Sequence, residues 1–260
     1  MPVLLLTGFA AIRPSSDRDW VTEQAVLPSI SFDGDTLVTV RNVRDFDWSD
    51  SVPVPRYYDR TYDLRRVASV SYIVTPFARS WRGPAHTFVS FGFDDSTYVG
   101  ISVEARKESD ETYTIAKGAL RQFEMMYVIA DEHDLIPLRA NRWGDDVLLY
   151  PVRLSREQAR ALFVVMLERA HGLESKPEFY GSFRNNCTTN ILDAANRVAT
   201  KKIRYGWRVL LPGYSDELAM EKGLLDTQLP LEQARVQFDI TARSRRYAGD
   251  PDYSRLIRAN

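Results

Sequence analysis

The 260-residue sequence has little of several residue types that build common functional sites. Its single cysteine, Cys187, excludes an intramolecular disulfide and a cysteine-rich zinc site. Only three histidines are present, and no H-E-x-x-H or C-x-x-C motif occurs, so we expect neither metal catalysis nor any other cofactor. With 34 basic and 35 acidic residues and no long basic run, the chain is not expected to bind nucleic acid.

The sequence also lacks internal repeats and low-complexity linkers. Its content of 44% hydrophobic and 12% aromatic residues is enough to form a substantial core. We therefore predict a single domain over residues 15–260, preceded by a separate segment at residues 1–14. Nothing in the sequence indicates an oligomeric state.

The N-terminal segment contains an apolar stretch at residues 3–12, followed by polar residues. The stretch is shorter than the roughly 20 apolar residues that span a bilayer. It has no basic region before it and no clear small-residue cleavage site after it, so it is a poor complete signal peptide. We interpret residues 1–14 as the remnant of a membrane anchor or signal segment. A first β-strand or a disordered end is the alternative.

A β-hairpin from about residue 85 to residue 105, with its turn near Asp94, is the most informative local pattern. If the numbers of two opposed residues add up to 190, Phe91 lies opposite Val99 and one face of the hairpin becomes wholly apolar. A shift of one residue would destroy this sorting. The other face then carries the polar side chains His86, Ser90, Tyr98, Ser102 and Glu104.

Further elements complete a predicted α+β fold. Strands are expected at residues 36–47, 67–75, 123–130, 135–138 and 147–154. Ser155 and Gln158 form a capping box that begins an amphipathic helix, and Gly172 is its expected stop. A second helix follows Cys187, with Asn185 or Asn186 as its N-cap. The predicted architecture is an antiparallel sheet packed against the cysteine-bearing helix and the second amphipathic helix.

Cys187 lies at the position expected of a nucleophilic thiol, immediately before an apolar helical pattern. A helix N-terminus offers unpaired N–H groups and a positive dipole end, which favour a thiolate and an oxyanion. The alternative is a small buried hydrophobic residue, since free cysteine is among the most buried residue types.

His86 is the best candidate for the base that such a thiol needs. His133 lies in an acidic turn, and His171 falls in the last turn of its helix. His86 instead begins a strand on the polar face of the hairpin, with Glu104 predicted opposite. We therefore predict Cys187 as nucleophile, His86 as general base and then acid, and Glu104 or Ser102 as the residue that orients the imidazole. A structural histidine, with Glu104 paired to a neighbouring basic residue, is the competing interpretation.

Four more residues are candidates for contacts with substrate or oxyanion. Backbone N–H groups at the helix start, helped by Asn186 or Asn185, would stabilise an oxyanion, although Asn186 could simply cap the helix. Arg106 would neutralise a substrate phosphate or carboxylate, or else form an exposed ion pair. Tyr98 shares the polar face of the hairpin.

The order of these segments is informative, because the histidine strand precedes the cysteine helix by about a hundred residues. In papain-like and ordinary NlpC/P60 proteins the cysteine helix comes first. The chain thus resembles the circularly permuted papain-like group, which includes acyltransferases and lipid-directed hydrolases.

Over roughly residues 15 to 258 the sequence more specifically resembles the Lnb N-terminal periplasmic domain family. The matching blocks are Asn42-Val43-Arg44-Asp45-Phe46, Tyr62-Asp63-Leu64, His86-Thr87-Phe88-Val89-Ser90-Phe91, Ser102-Val103-Glu104-Ala105-Arg106-Lys107-Glu108, Pro177-Glu178-Phe179-Tyr180 and Asn186-Cys187-Thr188-Thr189-Asn190. The His and Asn-Cys blocks are the specific ones.

The resemblance implies a bacterial domain that faces the periplasm, is anchored to the inner membrane through its N-terminus, and uses His86 and Cys187 as a catalytic dyad. It implies a thiol acyltransferase or hydrolase that forms an acyl-enzyme and acts on lipid or lipoprotein acyl groups. The chain lacks the long C-terminal membrane region of the family's namesake. A peptidoglycan amidase or peptidase of the NlpC/P60 type and a non-catalytic envelope module are the alternatives.

Overall fold

An eight-stranded, mostly antiparallel sheet organises the computed structural model, which describes residues 13–48, 53–78 and 80–259. The strands are β1 (Ser29–Asp33), β2 (Leu37–Arg44), β3 (Tyr57–Asp63), β4 (Val67–Pro76), β5 (Ala85–Phe93), β6 (Tyr98–Arg106), β7 (Glu124–Ala130) and β8 (Leu148–Pro151). Their order is β1-β2-β7-β6-β5-β4-β8, and β3 pairs with β2 outside this path. Only β2 and β7 pair in parallel, through Arg44 and Ala130. Of the segment at residues 1–14 that is predicted to be the remnant of an anchor, residues 1–12 lie outside the described residues.

The predicted register of the hairpin is confirmed. Phe91 pairs with Val99 and Phe88 pairs with Ser102, so the residue numbers of each pair add up to 190 as predicted. Odd-numbered side chains of β5 and β6, such as Phe91 and Ile101, enter the larger core cluster. Because side chains alternate along a strand, Phe88 points to the opposite face and joins a second core cluster.

Helices cover both faces of this sheet. They are α1 (Ile115–Ala119), α2 (Glu132–Pro137), α3 (Arg156–Ser175), α4 (Cys187–Val198), α5 (Trp207–Leu210), α6 (Ser215–Glu221), α7 (Leu231–Gln237), α8 (Thr241–Arg246) and α9 (Tyr253–Leu256). Helices α3 and α4 pack on the first core, through residues such as Phe163 and Ile191. Helices α2 and α9 pack on the second core, through residues such as Ile136 and Tyr253. The predicted α+β class is confirmed.

The helix starts follow the predicted capping chemistry. The Ser155 side chain accepts the Gln158 N–H at 3.2 Å, and the Gln158 side chain accepts the Ser155 N–H at 3.0 Å. The predicted stop at Gly172 is wrong, because α3 continues to Ser175. Gly172 is not among the glycines with positive φ, so it lacks the left-handed conformation that would end the helix.

The strand predicted at residues 135–138 is also wrong. This segment forms the end of α2 and the start of a π-helical turn, Leu138–Trp143. A short apolar run does not separate strand from helix by periodicity. Ion pairs of two buried carboxylates stabilise the helix instead: Asp134 pairs with the buried Arg44, and Glu132 pairs with the partly exposed Arg258.

The pair between Arg44 and Asp134 joins the sheet to α2. Arg44 donates to both carboxylate oxygens of Asp134 at 2.8 Å, and both residues are buried. Asp134 also accepts the main-chain N–H of Phe46 and the indole N–H of Trp48, each at 2.9 Å. The carboxylate therefore collects four donors, which compensate for its loss of hydration.

We predict that Asp134→Asn destabilises the protein by about 3–5 kcal/mol, because it leaves the Arg44 guanidinium buried without its charge partner. Asp226→Asn removes the exposed pair with Arg153 and should change stability by no more than about 1 kcal/mol. Urea unfolding of both variants measures the difference. Equal, small effects of the two substitutions would show that the buried pair contributes little.

Candidate active site

Cys187 is the first residue of α4, and its side chain is buried. Asn186 fixes this start as the N-cap: its Oδ1 accepts the Thr189 N–H at 2.9 Å, and the Thr189 hydroxyl accepts the Asn186 N–H at 2.8 Å. Of the two asparagines considered as caps, the structure thus selects Asn186. Cys187 and His86 line the same pocket of about 280 Å³.

A hydrogen-bonded network holds His86 from the side away from the thiol. Its Nε2 lies 2.7 Å from Ser102 Oγ and 3.1 Å from Glu104 Oε1, and Ser102 donates its hydroxyl proton to Glu104 at 2.7 Å. Ser102 can then accept from the Nε2–H. Both predicted orienting residues contact the imidazole, and their contacts leave Nδ1 as the nitrogen available to Cys187.

Arg139 adds a positive charge to this network. Its guanidinium donates to Glu104 Oε1 at 3.3 Å, and its Nη1 lies 3.8 Å from Asp145 Oδ2. The guanidinium also lies 4.3 Å from the ring centroid of Trp143. Sequence reasoning missed Arg139, because the segment that carries it gave no helical signal and its position opposite Glu104 depends on the π-helical turn.

The charges of the site favour a thiolate. Burial alone would raise the pKa of Cys187, but the charge of His86, together with hydrogen bonds from His86 and the Thr87 main chain, lowers it to about 6. Burial and Arg139 oppose protonation of His86, yet Glu104 and Cys187 outweigh them and raise its pKa above the ordinary value. Burial would also neutralise Glu104, but His86 and Arg139 hold its pKa well below its usual range.

Two tyrosines stand on the other side of the thiol. Tyr180 is buried, and it lines the same pocket as Cys187. Tyr113 also lines this pocket. Burial is the largest cause that raises the pKa of both phenols, so both remain neutral hydroxyls able to donate. The sequence offered one signal for Tyr180, its place in the block Pro177-Glu178-Phe179-Tyr180, but no role.

The amide side chains of Asn185 and Asn186 are engaged elsewhere. Asn186 donates to the Ser182 carbonyl at 2.7 Å, while Asn185 donates to the Phe179 carbonyl at 2.9 Å. Asn185 also adopts a positive φ of 64°, a conformation that asparagine tolerates better than most residues. Their contacts shape the loop that presents Cys187. The main-chain N–H of Cys187, at the first position of α4, has no acceptor within the helix.

Arg106 and Tyr98 do not reach the pocket, which corrects their predicted contact with substrate. The guanidinium of Arg106 is buried, donates to the carbonyls of Gln24 and Ala25 at 2.9 and 2.8 Å, and lies over the ring of Trp20. Nor does Arg106 form the exposed ion pair considered as its alternative. Tyr98 lies at the far end of β6, where the guanidinium of Arg258 covers its ring at 4.0 Å. Alternation placed both residues on the predicted face, but Tyr98 lies at the opposite end of β6 from Glu104, and Arg106 is held by the carbonyls of residues 24 and 25.

The groups that could hold a metal ion lie elsewhere. Among the described residues, Asp45, Asp131 and His133 place ligand atoms within 4.8 Å of one another, beyond the other end of β7. These atoms already have protein partners: His133 lies 2.5 Å from Asp45, and Tyr58 donates to Asp131 at 2.7 Å. The cluster includes no residue of the thiol site.

A second cavity, of about 350 Å³, lies on the other side of the Cys187 helix. Its wall is largely apolar, with Val89 from the sheet, Leu162 from α3 and Ile191 from α4. Thr188 belongs to this wall and also places its hydroxyl 3.7 Å from Cys187 Sγ. Thr188 also forms a hydrogen bond of 2.9 Å with Thr87, between Cys187 and this cavity.

These features define an α+β protein with a buried thiol–imidazole pair at a helix N-terminus. The chain belongs to the Lnb N-terminal periplasmic domain family, whose match covers residues 54–213 and so contains both His86 and Cys187. The family supports a bacterial, periplasmic location. No curated protein and no solved structure matches the chain. In the described part of the chain, no helix has both the length and the apolar character to cross a membrane.

We predict that alkylation of Cys187 by iodoacetamide follows a titration with its midpoint at a pH of about 6. The thiolate is the reactive form, so the rate rises as the pH passes the lowered pKa. In His86→Gln the effect of burial is no longer opposed by the imidazolium, and the midpoint should move above the ordinary thiol value. Because the chain has one cysteine, intact mass reports on this site alone.

The midpoint is the appropriate readout, since a thiolate of lower pKa is also intrinsically less nucleophilic. His171→Gln is the matched control, because His171 is exposed and contacts Glu174 on its own helix. An ordinary midpoint in the unmodified protein, or the same midpoint in His86→Gln, would refute the thiolate–imidazolium pair.

Proposed function

We propose that this protein is a thiol acyltransferase or hydrolase that acts through an acyl-enzyme on Cys187. The observation that carries the proposal is the position of Cys187 at a helix start, in one pocket with an imidazole that Ser102 and Glu104 hold. The charge of that imidazole lowers the pKa of the thiol. A thiolate paired with an imidazolium supplies both a nucleophile and a proton donor. Burial of a merely structural cysteine would raise the pKa of its thiol instead.

In the first step the Cys187 thiolate attacks an ester or amide carbonyl carbon, so that a C–S bond forms and the carbonyl oxygen becomes an oxyanion. The main-chain N–H of Cys187, at the helix start, and the Tyr180 hydroxyl, in the same pocket, would donate to that oxyanion. His86 then transfers its Nδ1 proton to the leaving oxygen or nitrogen, and the old C–O or C–N bond breaks. The product is a thioester on Cys187.

In the second step His86 acts as the base. It removes a proton from water or from an amine, which attacks the thioester carbonyl while the Cys187 thiolate leaves. Water gives hydrolysis, and an amine gives acyl transfer. Glu104 and Ser102 keep contact with Nε2 throughout, so the imidazole presents Nδ1 to both steps.

The apolar cavity beside Thr188 favours a substrate with an apolar acyl group, such as a lipid or lipoprotein acyl chain. The hydrogen bond between Thr87 and Thr188 would have to break for an acyl chain to pass from the thiol into this cavity. A cell-wall amidase or peptidase is the second candidate. It is favoured by the charged side chains of Lys107, Arg139 and Asp145 in the pocket that contains Cys187.

The arrangement of a histidine strand followed by a cysteine helix supports our assignment of the fold to the permuted papain-like group. The sheet runs β6-β5-β4 across the site, and α4 packs against β5. We further propose that the domain works beside the inner membrane. Anchoring through residues 1–14 stays a prediction.

We predict that incubation with p-nitrophenyl octanoate adds one octanoyl group to the protein, observable by intact mass, and that Cys187→Ala forms no adduct. The octanoyl ester should acylate faster than the acetyl ester if the apolar cavity receives the chain. Tyr180→Phe retains the thiolate but loses a donor to the oxyanion, so its acylation should slow by about 100-fold.

Phe179→Leu is the matched control for Tyr180→Phe, since Phe179 precedes Tyr180 in the same loop and does not line the pocket. A different outcome is that no ester acylates the protein, while the protein releases amine from a cell-wall stem peptide and Cys187→Ala does not. That result would replace the acyltransferase or hydrolase by the cell-wall amidase. Failure of both substrates together with an ordinary thiol pKa would favour a non-catalytic module.

A further inference from the structure

A set of exposed aromatic side chains extends from the Cys187 pocket along neighbouring segments. We call the set of Phe77, Trp81, Trp143, Phe183, Tyr205 and Trp207 the aromatic rim; each side chain is between 44% and 57% exposed. Within the described residues, Phe32 is the sole large aromatic side chain of similar exposure outside this set. Because exposed aromatic clusters are unusual on a protein surface, the rim requires an explanation.

Contacts between neighbouring segments make the rim continuous. Phe77 and Trp143 line the Cys187 pocket itself. The Gly213 N–H donates to the Gly83 carbonyl at 3.1 Å, which joins the segment that contains Trp81 to the segment that contains Trp207. The Tyr205 hydroxyl donates to the Phe183 carbonyl at 2.5 Å, which joins that segment to the loop before Cys187.

The segments that carry the rim are also basic. Residues 77–84, 138–144, 182–186 and 199–214 contain no aspartate or glutamate, although the whole chain has a net charge of −1. Their exposed cations include Arg142, Arg184, Lys201, Lys202 and Arg204. The segments that carry the rim therefore combine exposed aromatic rings with positive charge.

We propose that the aromatic rim docks on the surface of a lipid bilayer that contains anionic head groups. Tryptophan and tyrosine favour the interface between water and membrane, where their apolar rings and polar atoms are both accommodated. Lysine and arginine near the surface add attraction to anionic lipids. Protein interfaces also enrich aromatics and arginine but are depleted in lysine, so Lys201 and Lys202 favour the lipid surface over a protein partner.

Docking in this orientation would turn the Cys187 pocket toward the membrane. It depends on the rim alone and does not require that Cys187 form an acyl-enzyme. The test of lipid binding and the test of acyl-enzyme formation can therefore fail independently of each other.

The test is co-sedimentation of the 260-residue protein with vesicles of phosphatidylcholine, and with vesicles of phosphatidylcholine and phosphatidylglycerol in equal amounts. We expect binding to the anionic vesicles, with affinity that falls as salt screens the charges. Replacing Lys201, Lys202 and Arg204 together by Gln should weaken binding by about 100-fold, at roughly fivefold for each charge. The double variant Trp81→Ala/Trp207→Ala should weaken it independently.

The matched control variants remove side chains of the same kinds from surfaces outside the rim. Arg41, Arg65 and Arg255 are exposed in ion pairs away from the rim, and their joint replacement by Gln should leave vesicle binding within about twofold. Phe32→Ala combined with Val236→Ala removes exposed apolar groups outside the rim. Vesicles with brominated acyl chains should quench tryptophan fluorescence of the unmodified protein and quench the Trp81→Ala/Trp207→Ala variant less.

The proposal fails if anionic vesicles do not bind the protein at low salt, or if rim and control variants lose binding equally. It also fails if the protein is a dimer in solution and Trp81→Ala/Trp207→Ala makes it a monomer. In that case the rim is a contact between copies of the chain.

Discussion

The pairing of β5 with β6 is the constraint on which the site depends. It sets which side chains share a face, and it brings His86, Ser102 and Glu104 together at one end of the hairpin. A register shifted by one residue would turn the polar groups into the core under α3 and α4 and move Phe91 and its neighbours to the opposite face of the sheet. Burial of the apolar face therefore stabilises the same register that positions the imidazole.

Charge compensation then links this hairpin to the rest of the fold. Buried ionised groups need partners, and the site arranges them in alternation: the Cys187 thiolate, the His86 imidazolium, the Glu104 carboxylate and the Arg139 guanidinium. Each group stabilises the charged state of the next. Arg139 comes from the π-helical turn after α2, and the same helix is tied to the sheet by Asp134, so the second core helps to place the charge that faces Glu104.

Local patterns in the sequence predicted the parts of this arrangement that depend on local physics. Alternation in the hairpin predicted its register, and the caps at Ser155 and Asn186 follow from side chains that satisfy nearby N–H groups. Long-range placement was not accessible in this way. Arg139 enters the site only through the packing of a distant segment, and Tyr180 enters it through the fold of the loop before Cys187. The apolar run at residues 135–138 forms a helix because tertiary ion pairs override an ambiguous pattern.

The central claim is that His86 and Cys187 form an ion pair held by Glu104, and the protonation state of His86 tests it most directly. NMR of protein labelled with ¹⁵N-histidine resolves the two ring nitrogens over a pH titration. We expect an imidazolium at neutral pH that loses its proton at lower pH in Cys187→Ala, because the thiolate helps to raise the pKa of His86. A neutral His86 at neutral pH, with a pKa unchanged in Cys187→Ala, would show that the two side chains form no ion pair.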